Sequence, residues 1–124
     1  MLRFKTCSVV TVALLSGVVI ACTRQVSYQA DVEPIFQQYC TECHLSEGKG
    51  HKQSGFRVDS YENVMKGTRF GEVIVPGTGI TSTLYLLVAG KTHSSIRMPH
   101  GQRSLSKKEI ELIKTWIDQG AKNN

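Results

Sequence analysis

The sequence predicts an all-α fold of about four short helices packed around one covalently attached prosthetic group, and three observations support it. First, Cys40-Thr41-Glu42-Cys43-His44 sets two thiols three residues apart, with an imidazole directly after the second. At this C-x-x-C-H spacing two thiols can add to the two vinyl groups of one haem, and the histidine comes to lie under the ring, where it binds iron. Second, apolar side chains recur at helical spacing around that motif and again near the C-terminus. Third, the β-like run Val73-Ile74-Val75 is closed at once by the turn pair Pro76-Gly77, so it is too short to imply a sheet.

The elements follow in order. Val32, Ile35, Phe36, Tyr39, Cys40 and Cys43 fall on one face of a helix of about three turns. Asp31 is its expected N-cap, Glu33 places favourable charge in its first turn, and Pro34 is tolerated there because its missing N–H costs little where first-turn donors have no intrahelical acceptor. Residues 45–55 are rich in Gly, Ser and Lys and read as a loop. Asp59 to Glu62 has capping-box spacing before a short helix that runs to Lys66 and stops at Gly67. Thr81 or Ser82 caps a third helix through Ala89, with Leu84, Leu87 and Val88 inward and Gly90 at its end. The last helix opens with the capping box Ser106 to Glu109, carries Ile110, Ile113, Trp116 and Ile117 as its apolar stripe, and stops at Gly120. It is expected to cross the first helix.

Other chemistries for the cysteine pair fit less well. Zinc needs four ligands, adjacent Cys43 and His44 rarely converge on one tetrahedral ion, and no second C-x-x-C completes a site. A thioredoxin-like pair needs a βαβ setting that the pattern lacks. A plain disulfide is the remaining alternative.

Arg3 and Lys5 precede an apolar run over residues 8–21, short for a membrane span and suited to an export signal. Its end, Val19-Ile20-Ala21-Cys22, resembles a bacterial lipobox with Cys22 as the lipidated residue; ordinary cleavage after Ala21 is the alternative. The expected organisation is a signal peptide over 1–21, a lipidated N-terminus and short linker over 22–30, and one domain over 31–124. That linker spans at most about 30 Å, which keeps the domain near the periplasmic face of a bacterial membrane. Cys7 then leaves with the signal, Cys22 carries lipid, and Cys40 and Cys43 carry haem. Arg3 and Lys5 also leave, so thirteen basic residues stand against ten acidic ones, a charge of +3. This is enough to favour an acidic redox partner and little support for nucleic acid.

Iron held by His44 has a sixth position to fill. The mature chain offers Met65, expected in the core, and Met98, whose neighbours Pro99 and Gly101 favour irregular backbone able to bring a thioether over the ring. Met98 is the expected ligand. His100 is its first substitute, while His51 and His93 read as loop residues.

Cys40-Thr41-Glu42-Cys43-His44, Arg57-Val58-Asp59-Ser60-Tyr61, Val75-Pro76-Gly77, Leu84-Tyr85, Met98-Pro99 and Trp116-Ile117-Asp118-Gln119-Gly120-Ala121 occur in that order. Together they resemble the small planctomycete-type cytochrome c domain, a relative of class I cytochromes c, over nearly all of residues 30–122. The resemblance implies a class I cytochrome c-like fold and one haem c with His/Met-ligated iron, carried here by His44 and Met98. The family usually has Met-Pro-Pro where this chain has Met-Pro-His at 98–100, which keeps His100 in play. It also suggests that Arg57 neutralises a haem propionate and that the Pro76 carbonyl accepts the Nδ1–H of His44. Trp116 reads as packing between the terminal helices. The expected function is single-electron transfer between redox proteins, with no catalytic residues and no small-molecule substrate. A ligand-binding, sensor or peroxidase-like haem module is the rival.

Overall fold

The computed structural model describes residues 23–101 and 103–124. The export signal and the lipid site at Cys22 lie outside the described residues.

The first helix begins earlier than its sequence pattern. A wide π turn, Tyr28–Val32, leads directly into α1, Glu33–Tyr39. Ser27 is the cap, its hydroxyl accepting from the Ala30 amide at 3.1 Å. Asp31 sits inside the turn and reaches back to accept from the Ser27 amide at 2.9 Å, while Arg24 pairs with it at 2.8 Å. Tertiary packing extends the element, because Tyr28 is buried against Trp116 with ring centroids 5.4 Å apart. The C-terminal end also differs. The helix breaks at Cys40 (φ −119°), and Thr41–His44 forms a separate turn, α2. The His44 amide still donates to the Cys40 carbonyl at 2.9 Å, so the two cysteines and the histidine remain one local unit.

The expected loop after His44 contains a helix, α3, Lys49–Ser54, between Gly48 and Gly55. Glycine at both ends and inside it hides this helix from propensity. The next helix, α4, Tyr61–Lys66, is capped by Ser60, which accepts from the Asn63 amide at 3.2 Å. Asp59, one residue earlier, instead binds the Arg57 guanidinium and the Asn63 side chain. Among the described residues Val73–Val75 forms no strand. It docks through Ser82, whose hydroxyl accepts from the Val75 amide at 2.9 Å, and through the Leu84 amide, which donates to the Val73 carbonyl at 2.9 Å. A 3₁₀ turn, Gly79–Thr81, then precedes α5, Thr83–Val88, and a second one, Ser94–Ile96, precedes the irregular segment carrying Met98. The last helix, α6, Lys107–Asp118, has the reciprocal Ser106–Glu109 capping box read from sequence.

The terminal elements close the domain. Helix α6 lies on the π turn, and Tyr28, Tyr61 and Trp116 form an aromatic cluster with Val32, Ile113 and Ile117 fully buried around it. At the other end of α1, Tyr39 donates to the Glu109 carboxylate at 3.1 Å. The expected linker is part of this seam. The Val26 amide donates to Gln119 at 2.7 Å, and Ser27, Tyr28 and Gln29 all bind Asn124. Residues from Val26 onward are thus packed into the seam. No helix among the described residues is long and apolar enough to cross a membrane.

Ile117 is fully buried, so Ile117→Ala should cost roughly 2–5 kcal/mol in urea unfolding. The Ser27 amide and the Arg24 guanidinium hold the Asp31 carboxyl below its ordinary pKa. A lowered folded-state pKa adds stability that is fully present above the unfolded value, about 3.9, and is lost as pH falls through the folded one. Asp31→Asn should therefore lower the Tm at pH 7, and the deficit should shrink as pH falls below the unfolded value, about 3.9.

Candidate functional site

A cavity of about 230 Å³ opens between the cysteine segment with α3, α5, and the irregular segment before α6. Cys40, Cys43 and His44 line it, as do Met98, Pro99 and His100. Leu84, Val88, Val73 and Leu105 give it an apolar wall. Met98 is fixed to α5 by its amide, which donates to the Leu87 carbonyl at 3.2 Å. Residues 58 positions apart in the chain thus share one apolar chamber.

Both cysteines are free thiols rather than a disulfide. Burial pushes the Cys40 thiol up to about 12. Catalytic redox pairs need the opposite shift, towards thiolate. Nor do any three His, Cys, Asp or Glu among the described residues converge on a common point suited to a metal ion, which leaves the zinc reading without a site.

His44 is oriented by its surroundings. Its Nδ1 lies 3.1 Å from the Phe56 carbonyl, and the Phe56 ring meets the imidazole edge-on with centroids 5.3 Å apart. Burial lowers the His44 pKa, with His51 and His100 pushing the same way, although the Phe56 hydrogen bond opposes them. The ring is therefore neutral at pH 7. The carbonyl accepts a hydrogen bond from Nδ1–H, which leaves the Nε2 lone pair free to ligate. This corrects the role read for Pro76. Pro76 is exposed and outside the cavity wall, in a turn tied to α6 by the Gly77 amide, which donates to the Ile117 carbonyl at 2.7 Å.

Two glycines seat the motif. A Cβ on Gly50 would stand 2.6 Å from Cε1 and 2.8 Å from Nε2 of His44, and one on Gly48 would stand 2.3 Å from the Cys43 carbonyl oxygen. Helix α3 can press against the motif only because these positions lack side chains. Gly48, Gly50 and Phe56 were not singled out in the sequence. Closely spaced glycines just after His44 were the available signal, whereas nothing local marks the carbonyl of residue 56.

The other candidates fall elsewhere. Arg57 is absent from the cavity wall and binds Asp59, holding that carboxyl below its ordinary range. Met65 packs against the core from α4. His93 accepts from the Ser95 amide at the second 3₁₀ turn, and His51 lies on α3 outside the wall. Trp116 is core, its indole donating to the Lys122 carbonyl at 2.9 Å.

Haem fits these residues. Two thiols at attachment spacing, an imidazole with its distal nitrogen kept clear by Gly50, and a thioether all face one apolar chamber. Residues 40–100 match the family model of Planctomycete cytochrome C. No curated protein matches the chain, and no solved structure matches it.

Gly50→Ala should lower the haem bound per polypeptide several-fold, because the new methyl meets the His44 ring. Lys52→Ala, exposed on the same helix, should not. Pyridine haemochrome assay against protein mass checks both.

Proposed function

Because the chain carries a planctomycete-type cytochrome c domain, and with it haem-based electron transfer as its coarse function, we propose a monohaem single-electron carrier whose iron is held by His44 and Met98. Cys40 and Cys43 hold the ring by thioether bonds. The observation that carries this reading is the meeting of Cys40, Cys43, His44 and Met98 on one apolar cavity. When bound, haem supplies an iron that cycles between Fe(II) and Fe(III).

The chain's own residues do the rest. Phe56 fixes the His44 tautomer, and its hydrogen bond strengthens the donor nitrogen. Leu84, Val88 and Leu105 exclude water, which favours a single stable ligand set in both redox states. The backbone bond to Leu87 holds Met98 at its place in the wall. Nothing is transformed, so this is a carrier and not an enzyme. We place it outside the cytoplasm, held to the periplasmic face of a membrane by lipid on Cys22, with redox proteins as donor and acceptor. Arg57 remains a candidate propionate partner, since its Nε is buried without a partner in the protein. A second reading has one observation behind it: His100 lines the same cavity, so a His/His site is the alternative.

Met98→Ala should lower the reduction potential and change the visible spectrum. An unchanged potential and spectrum would remove Met98 from the iron. Cys22→Ala, correctly processed, should move the protein from the membrane fraction to the soluble periplasmic fraction. Continued membrane association would contradict the anchor.

A further inference from the structure

Most polar side chains on the cavity wall are already engaged within the protein. Ser54 donates to the Gly50 carbonyl at 2.7 Å and accepts from the Phe56 amide at 3.1 Å. Thr68 donates to the Gly71 carbonyl at 3.0 Å and accepts from the Phe70 amide at 3.0 Å. The Tyr39 hydroxyl donates to Glu109 at 3.1 Å and accepts from Arg103. A hydroxyl has one hydrogen to donate, and in all three it is already given to another group of the fold.

Lys49 and Gln53 differ. Both line the cavity from α3, both are exposed, and four residues of separation put them one turn apart on the same helix face. Among the described residues no hydrogen bond or ion pair holds either side chain. The contrast lies on the same helix, where Lys52, outside the wall, pairs with Glu47 at 3.2 Å. The Lys49 ammonium offers three N–H donors and a charge, and the Gln53 amide offers two more donors. No residue of the wall is acidic, so no carboxylate on it competes for them. His100 is also unengaged, but it lies two residues from Met98, on the segment of the proposed sixth ligand.

Haem presents a chemistry that fits this pair. Its two propionates project from the edge opposite the vinyl groups, and ionised carboxylates take charge-assisted hydrogen bonds where the ring meets water. We propose that Lys49 and Gln53 hold the haem propionates at the solvent edge of the cavity, as a charged and a neutral donor on one turn of α3. The proposal rests on the haem reading of the cavity. Arg57 meets neither condition that singles out this pair: it lies outside the wall, and its guanidinium is on Asp59. Helix α3 then positions the cofactor twice, through Gly50 against the His44 ring and through Lys49 and Gln53 at the propionates. The Lys49 cation also favours Fe(II) over the more positive Fe(III).

The test uses the full chain matured with covalent haem. It reads the propionate bending bands of the resonance Raman spectrum and the carboxylate stretches of the redox-difference infrared spectrum. Lys49→Ala and Gln53→Ala should each shift these bands and leave the haem bound per polypeptide unchanged, because the thioether bonds hold the ring. Lys49→Ala should also lower the reduction potential, whereas Gln53→Ala, which removes no charge, should change it much less. Lys49→Arg keeps the charge and the donors and should restore both bands and potential. Lys52→Ala should move neither. Propionate bands that stay in place in both alanine variants would overturn the proposal. So would bands that shift equally with Lys52→Ala, a general effect of surface charge, or bands that respond to Arg57→Gln alone, which would give the propionates to Arg57. Unaltered protein without covalent haem in the pyridine haemochrome assay would defeat the haem reading and the proposal together, while haem present with unmoved bands defeats the proposal alone.

Discussion

One hydrogen bond organises the site: the Nδ1–H of His44 donating to the carbonyl of Phe56. A histidine at the end of a C-x-x-C-H segment can rotate about its side-chain bonds, and either nitrogen can carry the proton. The Phe56 carbonyl selects one tautomer and one ring orientation, and so directs Nε2 to the ligand position. Much of the chain serves this contact. The Val58 amide donates to the His44 carbonyl at 3.1 Å, tying the strap of residues 56–58 to the motif from its other side. Gly48 and Gly50 let α3 close over Cys43 and His44, and Gly55, at φ 80°, turns the chain so that Phe56 returns to the ring. A β-carbon at residue 55 would disfavour that turn.

The aromatic cluster at the terminal seam has a different task. Tyr28, Tyr61 and Trp116 lie outside the cavity wall and lock α6 to the π turn before α1. Tyr61 also donates to the Ala121 carbonyl at 2.7 Å. This core is built from the protein alone, while the second apolar region, between Leu84, Val88 and Leu105, is left concave. In a chain of this size a prosthetic group would complete that second region.

Sequence patterning revealed what depends on local periodicity. The capping box at Ser106 and Glu109, the stripe Ile113, Trp116 and Ile117, and the stop of α4 at Gly67 follow from short-range chemistry and stand as read. Cys40, Cys43 and His44 were legible because their spacing alone implies the attachment chemistry. What escaped depends on distant partners. Helix α3 carries Gly50 within it and Gly48 and Gly55 at its ends, and is held by its packing on the motif. The start of the first helix moved to Tyr28 because Trp116, far away in sequence, buries that ring. The resemblance points to Pro76 for the carbonyl that Phe56 supplies, since no local pattern tells which backbone oxygen will face an imidazole. The residues taken for a linker pair with Gln119 and Asn124, contacts that only the closed chain brings together.

We propose that His44 and Met98 hold the iron between them across the cavity. Absorption spectra of the haem-matured protein, recorded oxidised, reduced, and reduced under carbon monoxide, test it most directly. Low-spin bands in both redox states, a weak far-red methionine–Fe(III) band, and no change under carbon monoxide are expected. A high-spin spectrum, or ready binding of carbon monoxide, would contradict it.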